Sequence, residues 1–85
     1  MTMRVELALF ASLTRFLPEV AEAERTGQHA QMMDLPDGTT VGQVISTLGL
    51  PDQPRVVFVN GRHAADEQAL AGGDRLAIFP PVAGG

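Results

Sequence analysis

The sequence predicts an α+β roll, in which a mixed sheet of four to five strands packs on one main helix. Segments with strand-like alternation lie before and after a single well-capped helix, an order typical of this class. The first and last of these segments are apolar and lack the charged or proline residues of edge strands, so we expect them to be central and parallel. A length of 85 residues allows one domain only.

The first half of the chain should supply two strands. Apolar residues alternate over residues 3–10, and a second apolar-leaning segment covers residues 29–35. Between them, a short helix capped by Ser12 is expected to continue to residue 17. Residues 18–27 allow either a second short helix or a surface loop.

The strongest helix signal covers residues 41–48. Thr40 and Gln43 have the spacing of a capping box, in which each side chain bonds the backbone N–H of the other residue. Gly49 and Pro51 then stop the helix. The apolar residues with helical spacing on one face are Val41, Val44, Ile45 and Leu48.

Three further strands are expected after the helix, over residues 55–59, 62–65 and 75–79. The first two should form a hairpin, because the Asn-Gly pair at 60–61 favours a two-residue turn with positive φ. Residues 66–70 look like one helical turn that brings a leucine into the core.

The composition excludes several classes of function. The chain has no cysteine, which rules out disulfides, thiolate ligands and thiol catalysis. Ten acidic residues against six arginines give a net charge of −4, which argues against a nucleic-acid partner. No apolar segment approaches the roughly 20 residues of a membrane helix, and no secretory signal is visible. We therefore expect a cytoplasmic protein without a membrane partner.

Few side chains are suited to covalent or metal chemistry. The two histidines lie on different elements without a nearby pair of carboxylates, so no metal site is expected. Ser12 and Ser46 lack the sequence context of a catalytic nucleophile. Because lysine is also missing, a chain terminus is the candidate for covalent chemistry.

The segment 80–85 should form an extended tail after a domain of residues 1–79. Its two prolines end the last strand and stiffen the chain, and six residues can reach about 20 Å. Two final glycines remove every Cβ beside the carboxylate, so the tail could enter a narrow tunnel. A terminal glycine pair alone could be a frayed end, but after a stiff neutral spacer it indicates function. The tail residues are Pro80, Pro81, Val82, Ala83, Gly84 and Gly85.

Four segments that together cover most of the chain have a familiar pattern: VELALFASLTRFLPE, LPDGTTVGQVISTLGL, VFVNGR and GGDRLAIFPPVAGG. Through them, nearly the whole chain resembles the small subunit of molybdopterin synthase, in the MoaD/ThiS family of ubiquitin-like sulfur carriers. Related thiamine sulfur carriers share the roll and the diglycine but usually lack a Pro-Pro pair, and a cysteine-biosynthetic carrier has a similar ending. The resemblance implies a ubiquitin-like β-grasp fold.

The resemblance also implies a mechanism that depends on partners. A ubiquitin-activating-like adenylyltransferase would use ATP to convert the Gly85 carboxylate to an acyl-adenylate. A persulfide sulfur donor would then replace AMP and leave a thiocarboxylate. The large subunit of molybdopterin synthase would accept the tail and pass its sulfur to precursor Z, forming the dithiolene of molybdopterin. The chain would bind no cofactor itself and would not be an enzyme alone.

The strand pattern also predicts the surface that partners bind. If the apolar residues of each strand face the helix, Phe10, Phe58 and Phe79 face the other side of the sheet, beside the tail. Phe10 and Phe79 match aromatic positions of the family. An exposed aromatic patch usually marks an interface, and His63 is expected to join it. The alternative is a register error that would place an aromatic ring, Phe58 above all, in the core.

Three other functions stay open from the sequence. The chain could carry sulfur for thiamine, cysteine or a modified nucleoside. It could modify other proteins through an isopeptide bond at Gly85, although without lysine it could not build self-linked chains through isopeptides. It could also be a non-covalent interaction module with an inert tail.

Overall fold

A computed structural model describes residues 1–81 and shows a six-stranded mixed sheet with one α-helix. The strands are β1 (Thr2–Leu9), β2 (Arg25–Gly27), β3 (Ala30–Pro36), β4 (Val56–Val59), β5 (Arg62–His63) and β6 (Arg75–Phe79). The helix is α1 (Val41–Leu48), and 3₁₀ helices cover Ala11–Phe16 and Glu22–Glu24. The α+β roll is confirmed as a β-grasp fold, with one strand more than the upper count expected.

The centre of the sheet is the parallel pair of β1 and β6, as predicted. The strand order is β2-β3-β1-β6-β4-β5, and Glu6 to Leu9 lie beside Arg75 to Ile78. Phe10 continues this pairing, because its N–H donates to the carbonyl of Ile78 at 3.2 Å. The chain therefore leaves the last strand next to the end of the first.

The core lies between the sheet and α1. The inward residues of the central strands are those that the alternation predicts, and Leu7, Leu9, Leu76 and Ile78 have no exposed surface. The helix contributes its predicted apolar face through Val41, Val44 and Ile45. Burying each such side chain stabilises the fold by about 1.5–3 kcal/mol. The other buried residues of this cluster are Met3, Val5, Leu13, Leu35, Val57, Val59 and Leu70.

The helix begins with the predicted capping box. The Thr40 hydroxyl accepts from the N–H of Gln43 at 3.2 Å, and the Gln43 side chain accepts from the N–H of Thr40 at 2.9 Å. Gly49 ends the helix in the left-handed conformation, with φ of 73°.

Replacing Thr40 with alanine should destabilise the protein by about 1 kcal/mol, because an early helix N–H loses its acceptor. For a domain of this size, that loss lowers the melting temperature by about 4–8 °C. Thermal unfolding followed by circular dichroism measures the change. Ser46→Ala, on an exposed position of the same helix, is the control. Equal melting temperatures for the two variants would contradict the capping role.

The segment between β1 and β3 differs from the sequence prediction. The turn after β1 is a 3₁₀ helix that begins at Ala11, with φ of 52°, and Phe10 rather than Ser12 occupies its cap position. The second helix proposed for residues 18–27 is wrong, and the loop alternative is closer. This segment contains only three 3₁₀ residues and β2, and Glu24 within it bonds the guanidinium of Arg4 at 2.6 Å.

The predicted helical turn over residues 66–70 is also wrong. These residues form a β-turn and then run across the start of α1, where they accept hydrogen bonds from the first helix N–H groups. Val41 donates to the carbonyl of Gln68, and Gly42 donates to that of Asp66. The loop thus satisfies donors that a helix leaves without partners. The hairpin turn is confirmed, and the strand after it is shorter than predicted.

Among residues 1–81, no helix is long and apolar enough to cross a membrane.

Candidate functional site

The sheet face opposite α1, the outer face, carries a second apolar cluster. Phe10, Phe58 and Phe79 pack there over three buried alanines, which are Ala8, Ala30 and Ala77. The small alanine side chains leave room for the rings to lie close to the sheet. The structure therefore places the three phenylalanines where the strand alternation predicts them.

Phe79 lies at the centre of this cluster. Its ring stacks on that of Phe10 with centroids 4.3 Å apart and an angle of 4° between the planes. On the other side, the Phe58 ring meets it edge to face at 5.8 Å. This order follows from the sheet, because β6 lies between β1 and β4. The rings are half-buried rather than fully exposed, since each covers part of its neighbour.

A histidine lies at each end of the cluster. The His63 ring is 4.5 Å from that of Phe58, its cross-strand neighbour, and the His29 ring is 5.6 Å from that of Phe10. We call these five side chains the aromatic row, in the order His29, Phe10, Phe79, Phe58 and His63. Sequence reasoning missed His29 as part of the site. His29 comes close to Phe10 because the end of β1 pairs with the start of β3, where the N–H of Leu9 donates to the carbonyl of His29. The sequence alone does not indicate this pairing.

The tail starts beside the aromatic row. Pro80 and Pro81 follow Phe79 directly and line one apolar groove together with Phe10, Ala11, Val56 and Phe58. The rest of the predicted tail, Val82, Ala83, Gly84 and Gly85, lies outside the described residues. The surface around the start of the tail is thus almost entirely apolar.

The opposite end of the outer face is charged. The Arg4 guanidinium bonds the carboxylates of Glu24 and Asp34 at 2.6 and 3.1 Å, and Arg75 bonds Glu6 at 3.1 Å. The hydrogen bond from Arg4 lowers the pKa of Glu24, and the two carboxylates raise the pKa of Arg4. The outer face therefore has an apolar half beside the tail and a charged half away from it.

Within residues 1–81, no three histidine, aspartate or glutamate side chains come together as a metal-binding group. The described site is an apolar surface at the point where Pro80 and Pro81 leave the sheet. A molecule that bound this surface would lie next to the start of the tail.

The fold and this site define a class, the small ubiquitin-like β-grasp proteins in which a tail follows the central strand. The chain belongs to the ThiS family, which it matches over residues 15–85. No curated protein gives a significant match.

Solved structures with this fold include archaeal proteins. The chain is similar to small archaeal modifier protein 1 of Haloferax volcanii, with 30% identity and a TM-score of 0.67 over 94% of this chain and 99% of that one. A second Haloferax volcanii protein, solved in solution, has 30% identity and a TM-score of 0.74 over 99% of this chain and 88% of that one. A putative molybdopterin converting factor subunit 1 from Pyrococcus furiosus has 22% identity and a TM-score of 0.68, over 94% and 99% of the two chains. At that identity the last likeness shows the fold alone.

Proposed function

We propose that this chain is a sulfur carrier and the sulfur-donating small subunit of molybdopterin synthase. The observation that carries the proposal is that β6 runs from the centre of the aromatic row directly into the Pro-Pro tail. A partner docked on the outer face would therefore lie within reach of the chain end. Membership of the ThiS family supports the carrier role. The segment LAIFPPVAGG supports the molybdopterin pathway, because thiamine carriers usually lack the Pro-Pro pair.

The chemistry begins at the carboxylate of Gly85. On an adenylyltransferase, a carboxylate oxygen attacks the α-phosphorus of ATP, and pyrophosphate leaves. The terminal sulfur of a persulfide then attacks the acyl carbon and displaces AMP. A thiol cleaves the resulting S–S bond, forming a disulfide with the donor and leaving a thiocarboxylate on Gly85. In the synthase, that sulfur becomes part of the dithiolene of the pterin.

The parts of this chain have separate roles in the proposal. The domain of residues 1–79 recognises partners through Phe79, Phe10, Phe58 and His63. The tail from Pro80 to Gly84 carries the reactive end into each partner, where the absence of side chains on the last two residues lets the carboxylate approach closely. The partners, in the cytoplasm, supply ATP binding, the persulfide and the acid–base groups, and the chain itself holds no cofactor.

Mass spectrometry of the intact protein tests the carrier role. After co-expression with the activating enzyme and sulfur donor, a fraction should be heavier by the difference between one sulfur and one oxygen, localised to Gly85. A preparation that carries only the ordinary carboxylate, despite active adenylyltransferase, overturns the carrier role. If the thiocarboxylate forms but the purified large subunit makes no dithiolene from the pterin precursor, the pathway assignment is wrong, and the thiamine, cysteine and thionucleoside pathways are tested next.

Protein modification is a second candidate, favoured by the likeness to a protein named as an archaeal modifier. In this case the Nζ of another protein's lysine attacks the acyl carbon of Gly85, AMP leaves, and an isopeptide bond forms. Peptides that retain a C-terminal fragment of this chain on lysine would identify the conjugates. A thiocarboxylate without such peptides favours the sulfur carrier.

A further inference from the structure

We infer that Asn60 is a site of spontaneous deamidation, and that the fold slows this reaction through a clamp on the Asn60 side chain. The inference does not depend on the proposed function. Asn60 is the single asparagine of the chain, and a glycine follows it. In this pair the backbone nitrogen of residue 61 can approach the side-chain amide closely, because glycine has no Cβ and a permissive backbone.

The reaction joins the backbone nitrogen of Gly61 to Cγ of Asn60. As that bond forms, the bond from Cγ to Nδ2 breaks, and Nδ2 leaves as ammonia with the proton of the Gly61 amide. Water then opens the five-membered imide at either carbonyl carbon. Opening at Cγ gives aspartate, and opening at the main-chain carbon gives isoaspartate, in which the chain runs through Cγ. Both products are heavier than asparagine by the difference between one oxygen atom and one NH group.

The turn between β4 and β5 gives this chemistry space and solvent. Asn60 and Gly61 form the turn, and both are exposed. A Cβ added to Gly61 would have no atom within 4 Å, so nothing crowds the attacking nitrogen on that side. Water can therefore reach the imide once it has formed.

Two hydrogen bonds clamp the side-chain amide of Asn60. Its Nδ2 donates to the Asp74 carboxylate at 2.9 Å, and its Oδ1 accepts from the N–H of Arg75 at 2.9 Å. The carboxylate is itself fixed, because its other oxygen accepts from the N–H of Ala71 at 2.8 Å. Attack on Cγ requires the amide plane to turn, and this rotation breaks the hydrogen bonds. The clamp therefore adds their free energy to the barrier of the reaction.

Deamidation would remove the clamp and weaken the hairpin. Aspartate at position 60 places a carboxylate where Nδ2 donated, against the carboxylate of Asp74. Isoaspartate adds a backbone atom to a two-residue turn and so alters the pairing of β4 with β5. The variant Asn60→Asp, which is identical to one of the two products, should lower the folding equilibrium constant by about 5- to 30-fold.

Intact mass and peptide mapping of the folded full chain, incubated at pH 8, test the inference. Asp74→Ala removes the acceptor of Nδ2 and should deamidate at position 60 about 10-fold faster than the wild type. Thr40→Ala is the matched control, because it destabilises the domain through the helix cap and leaves the clamp intact, and it should react at the wild-type rate. Asn60→Asp should gain no mass. The wild type unfolded in guanidinium chloride provides the rate without any clamp and should react more than about 10-fold faster than the folded protein.

Three results overturn the inference. Equal rates in the folded wild type and in Asp74→Ala would mean that the clamp does not restrain the amide. Equal acceleration in Asp74→Ala and Thr40→Ala would mean that the reaction follows unfolding of the whole domain. No gain of mass at position 60 in the unfolded wild type would mean that Asn60 is not a deamidation site. If Asp74→Ala does not fold, the comparison of the folded and unfolded wild type decides, and equal rates there overturn the clamp.

Discussion

Deleting Gly85, or replacing Gly84 with a bulky residue, is expected to abolish sulfur transfer while the melting temperature stays nearly unchanged. The deletion moves the carboxylate back by one residue, and a large side chain at position 84 obstructs passage through a narrow tunnel. Both changes come after Phe79, the last residue of β6, in the sequence. Substitutions away from buried contacts usually change stability by less than about 0.5 kcal/mol.

The experiment compares thiocarboxylate formation, by intact mass, with thermal unfolding of the same proteins. Ser46→Ala, on the exposed side of α1, is the control for handling and expression. A chain without Gly85 that still gains sulfur would show that the reactive group lies elsewhere. A large loss of unfolding free energy in either tail variant would show that the tail packs on the domain.

Local periodicity was sufficient to predict most of the sheet. In a strand with one buried face, apolar and other side chains alternate along the sequence. The apolar positions of β1 and β6 were therefore sufficient to predict which side chains face the core, without knowledge of the neighbouring strands. The helix was predictable for a similar reason, because its capping box and its left-handed glycine stop lie within the helix or next to it. These features depend on residues that are close in sequence.

The errors occur where contacts distant in sequence decide the local structure. Glu24 is held by Arg4, twenty residues earlier, and the loop that contains Asp66 bonds the first turn of α1. Gly42 matters there, because a Cβ at this position would lie 3.2 Å from the carbonyl oxygen of Asp66. The spacing of apolar residues within a short segment contains no information about contacts with residues distant in sequence.

In the candidate site, too, the features that depend on nearby residues were predictable and those that depend on distant contacts were not. Alternation predicted the face on which Phe10, Phe58 and Phe79 lie, since a side chain's face depends only on its own strand. Their stacking order requires the sheet topology. His29 was missed because its place beside Phe10 depends on the register between β1 and β3.

Phe79→Ala is expected to lower the affinity for both the adenylyltransferase and the large synthase subunit by about 30- to 1,000-fold. Truncating an aromatic residue at an interface centre typically costs about 2–4 kcal/mol. Phe79 has that central position, between the rings of Phe10 and Phe58 and directly before the tail. Both partners must accept the same tail, so both should be affected.

Ile78→Ala is the matched control, because Ile78 is adjacent in the same strand and points to the opposite face. Ile78 is fully buried in the core, and its truncation should cost about 2–5 kcal/mol of unfolding free energy. Phe79→Ala should cost less, since its ring is half-buried and mainly loses aromatic contacts worth about 0.5–1.5 kcal/mol each. Chemical denaturation and partner titration of both variants provide the comparison.

The two variants should therefore separate stability from recognition. Affinity should be compared at temperatures where both proteins are folded, so that unfolding of Ile78→Ala does not mimic a binding defect. If Phe79→Ala unfolds the domain while Ile78→Ala chiefly loses binding, the outer face is not the docking surface. If Phe79→Ala binds both partners as the wild type does, recognition depends on the tail alone. A loss confined to one partner would mean that the two enzymes accept the same tail but use different parts of the outer face.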